Sequence, residues 1–300
     1  MHDNLAFMKS IAPSITRRDI AARTPPHVYF LVSAIFHYLG PAFAVLLFAH
    51  IAPLGVAWLR IGSAALVFAV WRKPWRFWKS LDPASRRTVI ALGVVLAAMN
   101  SIFYLAIARL PLSTVGAIEF LGPIGLAAAG TRTTRNFAAL LLAVAGVFVL
   151  TDIRIAHEPL GFLFAFANCA LFVLYVVLGH RIAGGEAGKG ASGIDRLAAA
   201  MLIAAVAAAP LGFIDAAPAF KDPVLLGAAI GVGVSSSVIP YVCDQLAMAR
   251  LSRSTFALLL ALLPATAVVI GAIVLGQIPT TTEIIGISLV VLGVGIHRER

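Results

Sequence analysis

The sequence predicts an all-α membrane protein built from ten transmembrane helices in two inverted five-helix repeats. Three observations lead to this prediction: an apolar composition, ten apolar runs of membrane-spanning length, and a hairpin segment that recurs 141 residues later. Hydrophobic residues make up 61% of the chain and charged residues only 12%, against roughly 25% charged residues in a soluble domain. The +10 net charge does not indicate nucleic acid, because the basic residues lie mostly in short loops between apolar runs.

Each apolar run is close to the roughly 20 residues that cross the hydrocarbon core of a bilayer as a helix. Short polar or proline-containing turns separate the fourth from the fifth run and the seventh from the eighth, which favours ten spans over eight. The predicted spans are 28–48, 54–71, 88–108, 113–130, 136–152, 160–180, 195–214, 224–248, 254–274 and 280–297.

Lysine and arginine are distributed unevenly between the two sides of this arrangement. Nineteen of the 23 lie in the N-terminal segment and in the loops on its side of the membrane, and three lie in the opposite loops. The positive-inside rule therefore predicts cytoplasmic termini. We expect a cytoplasmic N-terminal tail at 1–27, without the apolar core of a signal peptide, and a cytoplasmic C-terminus at 298–300.

A proline-broken hairpin occurs once in each half of the chain. A shift of 141 residues places Met99–Ala127 on Pro240–Val268, with an Ala-Arg-Leu triplet in register and Pro123 on Pro264. Duplicated membrane hairpins interrupted by proline are typical of transporters with internal repeats. The sequence thus indicates a transport function and places its site near the two hairpins.

The repeat divides the membrane part of the chain into 28–152 and 153–297. Each half holds five predicted spans, an odd number, so the two halves must enter the membrane in opposite directions. Inverted repeats provide two pseudo-symmetric ways of packing, which is the structural basis of alternating access.

Polar side chains inside the spans are the candidate substrate contacts, because polar groups in hydrocarbon are costly and usually face a cavity. Glu119 is the strongest candidate, since a carboxyl at that depth must be protonated or paired; it could hold a substrate ammonium or carry a proton. The asparagines could instead bond neighbouring helices, and the tyrosines could anchor at the interface. The substrate-binding candidates are His37, Tyr38, Asn100, Tyr104, Glu119, Asn168, Tyr175, Tyr241 and Gln245.

Two further charged residues allow two interpretations each. Asp244 could line the same cavity or pair with Arg250 or Arg253, and Arg60 could pair with a carboxylate or anchor at the outer interface. Proline within a span frees a backbone carbonyl and permits bending. The candidate hinge and gating residues are Gly40, Pro41, Pro123, Pro240 and Pro264.

Motifs for catalysis or cofactor binding are missing from the sequence. It contains no HExxH, GxSxG or P-loop motif, and Cys169 and Cys243 lack partners at metal-ligand spacing. We therefore expect no enzymatic step, no catalytic residue, no metal and no cofactor. Transport would depend on a substrate or ion gradient, and the partners would be a small molecule and the lipid bilayer. The oligomeric state stays open, and a monomer is compatible with the sequence.

Six segments resemble the drug/metabolite transporter superfamily, specifically its ten-helix EamA-type members and, among these, bacterial amino-acid exporters of the threonine/homoserine type. The resemblance extends over nearly the whole chain from about residue 28. The segments are LRIGSAAL (Leu59–Leu66), KPWR (Lys73–Arg76), MNSIFYLAIARLPL (Met99–Leu112), AIEFLGP (Ala117–Pro123), Ile239–Tyr241 and MARLSRSTF (Met248–Phe256).

The resemblance implies a central cavity lined by spans 1, 3, 4, 6, 8 and 9, and export of small amino acids or related metabolites. Aromatic amino-acid exporters form a related branch, and other metabolites or drug cations are alternatives within the superfamily. In a zwitterionic substrate, the ammonium would meet Glu119 and tyrosine faces, and the carboxylate would meet Asn100, Asn168 or helix-end amides. The chain departs from the family at Leu259–Pro264, which has no glutamate before the proline. This departure argues against proton coupling through paired carboxylates.

Overall fold

The described part of the chain is helical throughout its regular elements. The computed structural model describes residues 24–130, 133–151, 158–184, 191–252, 255–256, 259–260 and 263–296, and these residues contain no strand. The prediction of an all-α membrane protein is confirmed. The long helices of the described residues are α1 (Pro26–Leu47), α2 (Pro53–Arg72), α3 (Pro83–Ile107), α4 (Leu112–Gly130), α5 (Thr134–Thr151), α6 (Pro159–Ala183), α7 (Gly193–Gly212), α8 (Pro223–Met248), α9 (Leu263–Leu275) and α10 (Thr281–Ile296).

Six of these helices, α1 to α3 and α6 to α8, are long and apolar enough to cross a membrane. The other four helices contain shorter apolar stretches of 10–17 residues. The count of ten spans and the division into 28–152 and 153–297 therefore stay predictions. Most of the predicted tail 1–27 and all of the C-terminus 298–300 lie outside the described residues.

The helices begin where the sequence supplies start signals. Proline opens five of them, α1 to α3, α6 and α8, where its fixed φ suits the first turn and no N–H is needed. The side chain of Asp82 caps α3 by accepting the Ser85 N–H at 2.9 Å. Ser192 and Asp195 form a reciprocal capping box at the start of α7. These signals fix the loops at the ends of the spans.

The distribution of side chains is that of a membrane protein. Large apolar side chains cover the outside, for example Val206, Ile214 and Ile273 with exposed fractions of 75%, 83% and 76%. Such a surface fits lipid and not water. The interior contains buried polar and charged groups, and four tyrosines are among its largest fully buried side chains: Tyr38, Tyr104, Tyr175 and Tyr241.

Helix packing follows a symmetric pattern under exchange of α1–α5 with α6–α10. Three pairs, α2 with α7, α4 with α9 and α5 with α10, map onto themselves. Several other pairs occur with their counterparts: α3 packs on α6 as α8 packs on α1, and α4 packs on α6 as α9 packs on α1. This pattern is the one that two packed repeats would produce.

One helix, α8, changes its winding at mid-length. A π-helical turn at Val234–Val238 separates an α-helical first half from a second half that begins at Ile239. Pro240, just after this turn, has no N–H to donate to the Ser236 carbonyl four residues earlier. The turn lies directly against α2, because a Cβ on Gly233 would collide with the Ser63 hydroxyl.

We expect Gly233→Ala to lower stability, because the new methyl group would lie 2.8 Å from the Arg60 carbonyl oxygen and must push α8 away from α2. Overpacking of this kind costs about 1–3 kcal/mol. Gly227, in the same helix, has no atom within 4 Å of its added Cβ, so Gly227→Ala should keep or raise stability through helix propensity, by up to about 1 kcal/mol. Apparent unfolding temperatures in detergent check both variants, and equal shifts would contradict the close contact.

Candidate functional site

The buried carboxyl of Glu119 lies at the centre of the described helices. It is 3% exposed and comes from α4. The Tyr38 hydroxyl donates to Oε2 at 3.1 Å, and Asn168 Nδ2 donates to Oε1 at 2.9 Å. His37 Nε2 lies 3.9 Å from Oε2. Helices α1, α4 and α6 therefore meet at one carboxyl group.

A second charge, Arg60 of α2, is buried nearby with an exposed fraction of 3%. Its Nη2 donates to the Ser236 carbonyl at 2.7 Å, and its Nε donates to the Ser237 hydroxyl at 2.8 Å. The guanidinium carbon lies 5.5 Å from the centre of the Tyr104 ring. Arg60 thus donates to the Ser236 carbonyl, which receives no N–H from Pro240. No carboxylate of the described residues lies within 4.0 Å of the guanidinium.

Both charged groups line one small cavity. Its volume is about 10 Å³, which is room for about one water molecule. The conformation is therefore contracted, and a larger ligand requires the surrounding helices to move apart. The cavity is lined by His37, Arg60, Met99, Asn100, Phe103, Glu119, Asn168 and Tyr241.

Two residues related by the 141-residue shift meet at this cavity. Asn100 Nδ2 donates to the Tyr241 hydroxyl at 3.2 Å and to the Leu96 carbonyl of its own helix at 2.7 Å. A residue can contact its own repeat counterpart only near the axis that relates the two halves. The cavity therefore lies where that axis would pass.

The carboxyl of Asp244 is held by hydroxyl groups. The Ser33 hydroxyl donates to Oδ1, and the Tyr175 hydroxyl donates to Oδ2 at 2.7 Å. Arg250 instead donates to the Thr24 carbonyl at 2.8 Å. The sequence allowed Asp244 to line the cavity or to pair with Arg250 or Arg253. Pairing of Asp244 with Arg250 is not observed, and Arg253 lies outside the described residues.

The structure places some of the sequence-predicted site residues at the cavity and the others beside neighbouring groups. Five line the cavity, and Tyr38 reaches it through its hydrogen bond to Glu119. Tyr104 lies beneath Arg60, Tyr175 faces Asp244, and Gln245 is buried beside Met248 with its Nε2 3.9 Å from Sδ. The five cavity residues are His37, Asn100, Glu119, Asn168 and Tyr241.

The predicted hinge residues lie inside helices. Gly40 and Pro41 are within α1, and a Cβ on Gly40 would overlap Ser236 of the π turn. Pro240 begins the second half of α8. Pro123 falls within α4 and Pro264 at the start of α9; the placement of their side chains lies outside the description.

Sequence reasoning missed Arg60 as a cavity residue, although it named the residue. The expected set of lining spans included span 9 and omitted span 2, whereas the described cavity takes Arg60 from α2 and no residue from α9. The physical reason is the length of the arginine side chain, which reaches inward from a peripheral helix. The available signal was Pro240, because the carbonyl that it frees needs a donor.

Comparisons with known proteins agree with the helical architecture. Residues 159–297 match the EamA-like transporter family. The threonine/homoserine exporter RhtA of Escherichia coli strain K12 is 30% identical over 269 residues, which cover 89% of this chain and 88% of that protein. The exporter of the same name from Salmonella typhimurium strain LT2 has the same identity and coverage. A solved crystal structure with 18% identity superposes with a TM-score of 0.60, over 90% of this chain and 96% of its own; this likeness concerns the fold alone.

We expect Ser33→Ala to lower the free energy of unfolding by about 1–3 kcal/mol, because it leaves one oxygen of a buried carboxyl without its donor. Ser235→Ala is the matched control: its hydroxyl donates only to the Val232 carbonyl of its own helix, at 3.2 Å, so the change should stay within about 0.5 kcal/mol. Denaturant unfolding in mixed micelles measures both. A Ser33→Ala protein as stable as the control would show that Asp244 does not depend on this bond.

Proposed function

The chain belongs to the EamA-like transporter family of the drug/metabolite transporter superfamily, and we propose that it exports small amino acids, threonine and homoserine first among them, by alternating access. Its relatives are transporters and not enzymes, which confirms the expectation that no reaction is catalysed. The chain is a multi-pass membrane protein. The substrate assignment is supported by the names of the two relatives and by the chemistry of the cavity.

The buried carboxyl of Glu119 is the observation on which the proposal depends. A protonated amine is the substrate group that best compensates a carboxylate withdrawn from water. Asn168 Oδ1, in the same cavity wall, has no hydrogen-bond partner among the described residues and offers a second acceptor. Glu119 and Asn168 together would bind two of the three N–H groups of an ammonium.

Access to this cavity requires helix movement. A cavity of about 10 Å³ cannot hold an amino acid, and in the proposed cycle this contracted form would lie between the two open forms. The contact of Gly40 with the π turn joins α1 to α8 at backbone distance. We place the moving contacts there, with Pro41 and Pro240 as bending points. Pro123 and Pro264 would bend the equivalent helices α4 and α9.

The orientation follows from the charge distribution. With 19 of 23 basic residues on the N-terminal side, we propose that both termini face the cytoplasm of a bacterium and that the protein lies in the inner membrane. Export then runs from the side that carries the basic loops. The repeats 28–152 and 153–297 would alternate in packing around the site.

Efflux from proteoliposomes preloaded with labelled threonine tests the proposed function. We expect efflux by the wild type and at least about a tenfold loss in Glu119→Gln, since a charge-assisted hydrogen bond contributes about 1.5–3 kcal/mol. Glu158→Gln is the matched control, because this glutamate is exposed and its side chain caps no helix.

A second variant, Asn100→Ala, is expected to slow efflux because it removes the bond to Tyr241 across the cavity. No threonine efflux from well-folded wild-type protein would contradict the threonine assignment. Aromatic amino acids and organic cations, tested in the same vesicles, would then decide among the other substrates of the superfamily.

A further inference from the structure

We propose that Arg60 binds the carboxylate of the substrate, opposite the ammonium site at Glu119, so that the cavity selects zwitterionic α-amino acids. The inference rests on the proposed function and deepens it. Arg60 and Glu119 line the same small cavity from α2 and α4, and each is 3% exposed. They are the two oppositely charged groups that a zwitterion would require.

Arg60 carries a buried positive charge without a carboxylate beside it in the described residues. Burial of a guanidinium without a counter-ion is costly, and no carboxylate of the described residues lies within 4.0 Å of it. Its hydrogen-bonding partners on the π turn, the Ser236 carbonyl and the Ser237 hydroxyl, are neutral. The Tyr104 ring adds a cation–π contact at 5.5 Å. A substrate carboxylate would supply the anion that this site lacks.

The Arg60 guanidinium has more N–H donors than its bonds to the π turn use. The two bonds to the π turn use one N–H of Nε and one of Nη2, and a guanidinium carries five N–H groups in a planar fork. Further donors are therefore available to a carboxylate, which matches this fork in two-point geometry. The bonds to Ser236 and Ser237 hold the fork in place without consuming it.

The charge of Arg60 would also select amino acids over organic cations. A fixed, buried positive charge in the cavity repels an organic cation that carries no carboxylate, and such a ligand would leave Arg60 without a counter-ion. An amino acid neutralises both protein charges at once. The Glu119 carboxyl alone would accept any amine, so Arg60 is the residue that would exclude amines and drug cations.

Competition between two ligands of nearly equal shape tests the assignment in the wild type. L-Threonine and L-threoninamide differ at the carboxyl group, and both are measured as competitors of labelled L-threonine binding, at a pH where both amines are protonated. We expect threoninamide to compete at least about tenfold more weakly. This comparison needs no variant, so it does not depend on the folding of a mutated protein.

Substitution of Arg60 then assigns the discrimination to one residue. Arg60→Gln should lose at least about tenfold in threonine binding and should no longer distinguish threonine from threoninamide, whereas Arg60→Lys should retain part of the preference. Arg109→Gln is the control: this arginine is exposed and lies over the Phe164 ring at 5.4 Å. It should bind and discriminate as the wild type does.

The outcomes separate the two proposals. Threonine binding that threoninamide matches, or discrimination that survives in Arg60→Gln, would overturn the assignment of Arg60 and leave the exporter function intact. Absence of threonine binding in the wild type would overturn the proposed function, and the carboxylate assignment with it.

Discussion

The constraint on which the structure depends is the cost of burying two opposite charges. Glu119 and Arg60 are each 3% exposed, and neither is paired with the other within 4.0 Å. Each is held by neutral donors or acceptors from neighbouring helices: Tyr38 and Asn168 for the carboxyl, Ser236 and Ser237 for the guanidinium. Since an unpaired buried charge costs far more than a single hydrogen bond contributes, these contacts hold helices α1, α2, α4, α6 and α8 around the cavity in this conformation.

The irregular winding of α8 follows from the same constraint. Pro240 removes the N–H that would bond the Ser236 carbonyl, and an unpartnered carbonyl in hydrocarbon is costly. Arg60 donates to it at 2.7 Å, so one helix defect and one buried charge compensate each other. The π turn brings Ser236 and Ser237 to the guanidinium while Gly233 allows α2 to approach. The backbone of α8 is thereby tied to the charge that we assign to substrate recognition.

Most of the fold and part of the site could be predicted from the sequence. Apolar runs predicted helix limits within a few residues for α1 to α8, because this signal is local. Glu119 was identifiable because a carboxyl in an apolar run has few structural explanations. Arg60 was not placed in the cavity, because a single arginine near a span end has the same local pattern as an interface anchor. Tyr175 and Gln245 share a helix face with cavity residues, but polar residues along one helix face do not specify which neighbouring helix that face contacts. Tyr175 contacts Asp244 and not the cavity.

The symmetry of the framework and the asymmetry of its charges have different consequences. Helix pairs recur under exchange of the two halves, and Asn100 contacts its own counterpart Tyr241. The Glu119 carboxyl does not recur in the same way, since the 141-residue shift places Glu119 on Leu260, a buried apolar residue. A fully symmetric cavity would offer a zwitterion two equivalent poses, one for each half. With one carboxyl on α4 and one guanidinium on α2, a single pose is favoured, so the same contacts can be kept while the halves exchange their packing. Under the proposed mechanism, symmetry provides the two open states and asymmetry keeps the substrate in one orientation through both.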